Sequence, residues 1–425
     1  MLSERKDEIE LVVVSGAWPR GTTGYEIAIG SALRVYAERF PLVHFFGPEG
    51  EPFDGAGEWD GRNIRWIPLP FVRGPLWLRF LRSIFLTDPA ITVRFHAAAN
   101  VFRGEFANIV SQSSERNRSV GIMYEDLPAS CFMRDVRRDF PRIAQGVHSH
   151  NVSAKVFAGL DRQGMFHERM AWRIELAKTR RFEKRTFARA DVFWAISAAD
   201  AAIYRDSLGI TPDGIFGISL DCERYATVEC GDVNTVVYVG AADLIKGMAL
   251  VNFIQKVWPS VRAEAPEARL ILAGRGTERF TDTSLNINGL GFVDDDRDVL
   301  SQGLIFLNPQ QIGSGIQLKS VVAMLAGKAL VSTPLAVEGV EGKDGEHFVV
   351  AEPTDEMASR IVSLMRDSEC ARRLGQKARE LAAQTYSHEH LLETAKLLLD
   401  AFVHKAGDTR PSRRTTRKPV SKHAA

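Results

Sequence analysis

Gly313, Ser314 and Gly315 stand where a short apolar run, GLIFLNP (303–309), gives way to a helical pattern. Residues without bulk at Cβ can bring bare backbone N–H groups up to an anion, and the positive end of a helix dipole favours that charge. The chemistry this spacing suits is phosphate binding; a plain strand-to-helix turn is the competing reading. In the helix that follows, Leu318, Val321, Val322 and Leu325 recur at i, i+3, i+4 and i+7, the stripe of a core-facing surface. Two other stretches hold reactive groups. VHSHNV (147–152) puts His148 and His150 at a strand end, and GFVDDDRD (291–298) sets three aspartates side by side. Adjacent aspartates do not converge on one centre, so a solvated helix start is expected there and no metal site.

The elements that would position these groups alternate. IELVVVSG (9–16) is a β-branched apolar run ending in glycine, as buried parallel strands do. A glycine turn and helix (20–40), strands at 42–47, 119–126 and 142–151, a long charged helix (167–189) and a strand in 190–197 follow. After 217–232, which lacks helical periodicity, the alternation restarts with a strand (235–240), a helix (245–265), and strands at 268–276, 285–293, 303–309 and 328–334. Helices at 354–366, 368–384 and 388–404 close the pattern. This is the signature of two doubly wound α/β halves with a cleft between them, where ligands bind outside the strand ends. The expected division is 1–216, a linker at 217–232, 233–386, a returning helix at 387–405 and a disordered basic tail at 406–425.

Composition narrows the function classes. The 425 residues are 45% hydrophobic and 25% charged with a net charge of +1, which suits two ordinary globular domains and gives no global field for nucleic acid. Cys131, Cys222, Cys230 and Cys370 form no CxxC pair, so a reduced compartment without structural zinc is expected. The charged start, MLSERKDEIE, and the lack of any 18-residue apolar run point to a cytoplasmic protein.

The second half resembles a known family. TVVYVGAADLIKG, VWPSVRAEAPEARLILAGRG, LGFVDDDRDVL, IGSGIQLKSVVAMLAGKALVSTPLAVEGV and DGEHFVVAE are similar, in order and spacing, to the donor half of family-4 (group 1) glycosyltransferases of the GT-B fold, bacterial surface-polysaccharide type. The likeness is strong over 235–390 and weaker in the first half. It implies two Rossmann-like domains, a nucleotide-diphosphate sugar held mainly by the second, an acceptor on the first, no cofactor, no divalent metal and retention at the anomeric carbon.

Carried onto this chain, the resemblance gives the diphosphate to Gly313, Ser314, Gly315 and Ile316, approached from the opposite side by the loop Gly21–Gly24. It makes Lys246 a cation that neutralises the departing nucleotide; Arg275 or Lys319 is this chain's own candidate for a second positive charge. Backbone at Gly291 and Phe292 would contact the base, and His150 the sugar and reacting centre. Glu26 beside the glycine loop is a candidate acceptor contact. The chain also departs from the pattern. Ala241 stands where an arginine is common, and Ser314 and Val322 where many members carry two glutamates, one near the sugar and one on the ribose hydroxyls.

The expected function is transfer of a hexose or deoxyhexose to a glycan or lipid-linked acceptor in lipopolysaccharide or exopolysaccharide synthesis. A catalytically impaired binding or scaffold subunit and a nucleotide-sugar epimerase on the same fold stay open. PLWLRFLRSIF (75–85) and the tail, with six Lys/Arg against one Asp, suggest weak peripheral contact with the anionic inner face of the cytoplasmic membrane.

Overall fold

The computed structural model describes residues 9–19, 23–49, 63–71, 87–162 and 166–407. Segment 75–85, Gly21 and the tail beyond Gly407 lie outside them.

Two parallel sheets are present. The first has seven strands: β1 (Ile9–Ser15), β2 (Val43–Pro48), β3 (Ile64–Leu69), β4 (Ser119–Glu125), β5 (Ala144–Ser149), β6 (Val192–Ala195) and β7 (Gly214–Ile215). The second has six: β8 (Asp232–Val239), β9 (Arg269–Ala273), β10 (Ile287–Gly291), β11 (Gly303–Asn308), β12 (Ala329–Ser332) and β13 (Val349–Val350). Their orders are β3-β2-β1-β4-β5-β6-β7 and β10-β9-β8-β11-β12-β13. Each reverses direction beside its first strand, so each has a switch point where ligands bind, between β1 and β4 and between β8 and β11. The α/β GT-B architecture read from the sequence is the one observed.

Local chemistry explains the elements. Every residue of β1 is buried, as a central strand covered on both faces must be. Pro68 in β3 is tolerated because β3 is the edge of its sheet. The helix His388–Gly407 leaves the second unit and packs Leu391, Ala395, Leu399, Phe402 and Val403 among Val13, Tyr36 and Trp194 of the first. A Cβ at Gly121 of β4 would stand 2.8 Å from the Phe402 ring, so a side chain there would push the helix away. The two units also share apolar surface: Ala28 and Ile196 pack in one cluster with Phe306, Val321 and Met324.

Several sequence expectations need correction. The single helix expected at 245–265 is two, Leu244–Lys256 and Trp258–Glu264. Pro259 lies in the first turn of the second, where its missing N–H costs nothing, but it ends the first. The stretch 217–232 contains a helix, Cys222–Ala226, capped by Asp221. The strand expected at 285–293 shortens to Ile287–Gly291, and the last helix runs to Gly407 rather than 404. Strand β3 and the helix Ala99–Glu115 were not anticipated. No helix among the described residues is long and apolar enough to cross a membrane.

Candidate active site

The strand order arranges the second unit's candidates along one edge. Phe292 follows β10, Arg275 follows β9, Lys246 follows β8, and the glycine turn with Lys319 follows β11. Since the sheet runs β10-β9-β8-β11, the four groups stand in that spatial order past the carboxyl ends of parallel strands.

The turn after β11 is held from below. Asn308 is fully buried and its Nδ2 donates to Ser320 Oγ at 2.7 Å, tying strand to helix; Gln310 Nε2 donates to Ile312 O at 2.7 Å. Gly315 has φ +73, the left-handed region, and a Cβ there would sit 2.4 Å from the His150 carbonyl oxygen. Only glycine fits. Ile316 is half-buried against the shared apolar cluster. The helix begins at Leu318 rather than at Gly315, and its N-cap Gln317 makes no side-chain cap, although its carbonyl takes the Ser320 amide at 2.8 Å. Val321 is fully buried, whereas Val322 is half-buried at the cluster's margin.

A residue the sequence reading did not single out reaches this turn from the first unit. Asp200, in the first turn of the helix Ala198–Leu208, accepts hydrogen bonds through Oδ1 from Ser314 Oγ (3.0 Å) and the Gly315 amide (3.3 Å). Ser197 Oγ donates to its other oxygen at 2.8 Å, and Val152 N donates to Ser314 Oγ at 2.8 Å. Burial raises the Asp200 carboxyl above its usual range, with the hydroxyls of Ser197 and Ser314 pulling it back. A glutamate at 314 would face this carboxylate as a like charge; serine supplies a donor instead. The signal was Ser197-x-x-Asp200, a helix-start pattern read only as the end of a strand.

The cations cluster at the next strand end. Lys319 Nζ lies 3.2 Å from Tyr238 Oη and 3.2 Å from Gln310 Oε1, and 4.9 Å over the Tyr238 ring. Desolvation, then the charge of nearby Lys246, pushes its ammonium down to about 7. Lys246 pairs with Asp243 at 2.8 Å and stays partly exposed. Farther along, Arg275 stacks 5.5 Å over the ring of Phe292, which is 64% exposed, and Gly291 has φ +72. An exposed, cation-backed aromatic ring is an open stacking platform.

The first unit presents histidines. Glu125 ends β4 and is buried, with Oε1 accepting from Tyr36 Oη (2.6 Å) and Oε2 bonded to His148 Nδ1 (2.9 Å) and His150 Nε2 (2.7 Å). His148 Nε2 bonds the Phe216 carbonyl at 2.8 Å. Burial works against the charge on Glu125, yet His148 and both histidine hydrogen bonds hold its carboxyl at about 2. His150 is buried, packs edge-on to Tyr25, and leaves Nδ1 without a partner. Among the described residues, Glu125, His148 and His150 are the one set of three with ligand atoms within 4.8 Å of one another. Ligands around a zinc ion at about 2.1 Å stand roughly 3.4 Å apart. The contacts of 2.7 and 2.9 Å fit hydrogen bonds better than coordination.

Of the remaining candidates, Gly24 lies against the other unit, its would-be Cβ 3.3 Å from Leu318. Glu26 closes a capping box with Thr23, its Oε2 accepting from the Thr23 amide at 3.0 Å. The aspartates of 294–296 start a helix, where Asp295 caps and Arg224 bridges Asp295 and Asp296 at 2.9 Å each.

Comparison with known proteins adds three findings. Residues 233–367 match the family model described as glycosyl transferases group 1. A Klebsiella pneumoniae protein described as an uncharacterized 44.6 kDa protein in the cps region is 27% identical over 129 residues, 28% of this chain and 33% of that one. The match therefore spans about a third of that relative. Among solved structures, sucrose-phosphate synthase from Thermosynechococcus elongatus is similar with a TM-score of 0.67 at 16% identity, covering 92% of this chain and 98% of that one. Anabaena HepE in complex with UDP gives 0.61 at 15% identity, covering 93% and 100%. The Escherichia coli trehalose-6-phosphate structure bound with UDP-2-fluoro glucose gives 0.59 at 13% identity, covering 92% and 99%. At such identities the likeness shows the fold.

Proposed function

From the premise that residues 233–367 form a group 1 glycosyltransferase domain on a GT-B fold, we propose that the chain moves a sugar from a nucleotide-diphosphate donor to a glycan or lipid-linked acceptor. The carrying observation is the order of groups along the second sheet. A base stacks at Gly291–Phe292 beside Arg275, and the diphosphate lies between Lys246, Lys319 and the glycine turn. The sugar then faces His150 across the cleft. As the glycosidic bond breaks, negative charge grows on the departing diphosphate, and the cations and helix-start amides stabilise it where it develops. Charge neutralisation by lysines in place of a divalent ion supports metal-independent transfer, with retention at the anomeric carbon as the stereochemical outcome. The cps-region relative supports a place in surface-polysaccharide synthesis, and a lipid-linked acceptor would bring the chain to the inner face of the cytoplasmic membrane.

One observation favours a second reading, an impaired binding subunit. Asp200 already occupies the Gly315 amide, and a diphosphate must displace it or use the neighbouring amides. A panel of UDP-, GDP-, dTDP- and ADP-sugars separates the two: nucleotide release from one donor supports transfer, whereas saturable binding without release supports the subunit.

A further inference from the structure

The hydrogen bonds around Glu125 fix more than the position of His150. The Phe216 carbonyl can only accept, so the His148 Nε2 facing it carries hydrogen. An ionised Glu125 can also only accept, so the His148 Nδ1 at 2.9 Å and the His150 Nε2 at 2.7 Å carry hydrogen too. His148 is then an imidazolium paired with Glu125 inside the fold. The carboxylate charge is matched by His148, and what reaches His150 is a hydrogen-bond acceptor at Nε2. With its hydrogen on Nε2, His150 keeps a lone pair on Nδ1, the one ring nitrogen of the pair without a partner. The other groups facing the cluster agree. Tyr36 donates to Glu125 Oε1, Tyr25 donates to the Glu125 carbonyl at 3.2 Å, and Asp126 Oδ1 takes the His150 backbone amide at 3.4 Å rather than its ring.

We propose that Glu125 and His148 are positioning residues that lock His150 into the Nε2–H tautomer, so that its Nδ1 accepts a hydrogen bond from a hydroxyl of the bound sugar. The inference rests on the reading of His150 as part of the donor site. A buried acceptor without a protein partner is costly, and a hydroxyl is the ligand group that satisfies it without adding charge. Asparagine or glutamine at 125 would lose this directionality, because an amide can donate to one histidine and push its hydrogen to the far nitrogen.

Nitrogen-15 histidine NMR of the full chain tests the tautomer directly. The expected result is His148 protonated on both nitrogens and His150 on Nε2 alone; His150 protonated on Nδ1 alone would overturn the proposal. The companion variant is Glu125→Gln, expected to lower the rate of sugar transfer or donor hydrolysis about 100-fold. Binding of the bare nucleotide diphosphate, held by the second unit, should change less than about threefold. Full turnover in Glu125→Gln, or an equal loss of both quantities, would contradict a positioning role. If Glu125→Gln does not fold, the wild-type spectrum alone decides. A chain that turns over no donor would remove the transferase reading while leaving the tautomer assignment to stand or fall on its own spectrum.

Discussion

Replacing Val322 by glutamate puts back the acid that many group 1 members carry against the ribose hydroxyls, and the structure sets what that should do. Val321, one residue earlier, is fully buried and would tolerate no charge. Val322 is half-buried on the edge of the apolar cluster that the two units share. Losing its partial burial costs about 1 kcal/mol, roughly half the value for a fully buried valine, and a glutamate stem can carry its carboxylate outward to water. A charged acceptor for ribose hydroxyls is worth about 1.5–3 kcal/mol, so Val322→Glu should bind the preferred nucleotide diphosphate roughly 10- to 150-fold more tightly. Calorimetric titration with that nucleotide and with its 2′,3′-dideoxy analogue reads the effect, and the analogue should show no gain. Melting temperature should fall by only about 2–4 °C, the shift for 1 kcal/mol in domains of this size. A fall of about 10 °C without tighter binding would mean that the carboxylate is trapped without a partner and that the ribose does not lie at this helix.

Three further perturbations address the same edge. Gly315→Ala should cost several kcal/mol and lower the melting temperature, because the added methyl meets the His150 carbonyl at 2.4 Å in a left-handed backbone; an unchanged melt would show that the units separate freely there. Lys246→Ala should weaken nucleotide diphosphate binding by about 1–3 kcal/mol through lost charge-assisted hydrogen bonds, read by titration, and unchanged affinity would leave Lys246 as a partner of Asp243 alone. Lys319, pushed from the ordinary 10.5 to about 7, is largely neutral at pH 8 in the empty chain. Diphosphate should restore its charge, so binding at pH 8 should take up to about one proton and weaken as pH rises. The enthalpy measured in buffers of different ionisation heat reports this, and Lys319→Met should abolish it. In the empty chain the unfolded state holds that proton between pH 7 and 10.5 while the folded state does not, so this lysine makes stability rise with pH across that window.

The fold was legible because buried parallel strands write continuous apolar runs that end in glycine or a small polar residue. Ile9–Ser15 and Gly303–Asn308 are such runs, and both lie at the centre of their sheets. Strand β3 was hidden because an edge strand alternates buried and exposed residues and here includes Pro68. The split of 245–265 was legible in Pro259, whose position favours a helix start and forbids a helix interior. In the site, local spacing revealed the glycine turn, the family likeness supplied Lys246, and Lys319 entered as a candidate, with Arg275, for the second charge. The likeness could not reveal Glu125 or Asp200. His148, which faces Glu125, lies 23 residues away, and the Gly315 amide, which faces Asp200, lies 115 away; the nearby Ser197 marks a helix start and not the turn that its acid will meet.

Titration of the wild-type chain with a nucleotide diphosphate and the matching monophosphate, in excess chelator, tests the central claim most directly. If the glycine turn, Lys246 and Lys319 together hold a diphosphate without a metal ion, the diphosphate should bind by about 1.5–3 kcal/mol more tightly than the monophosphate, and the chelator should not change it. Equal affinities for the two nucleotides, or diphosphate binding abolished by chelation, would contradict the account.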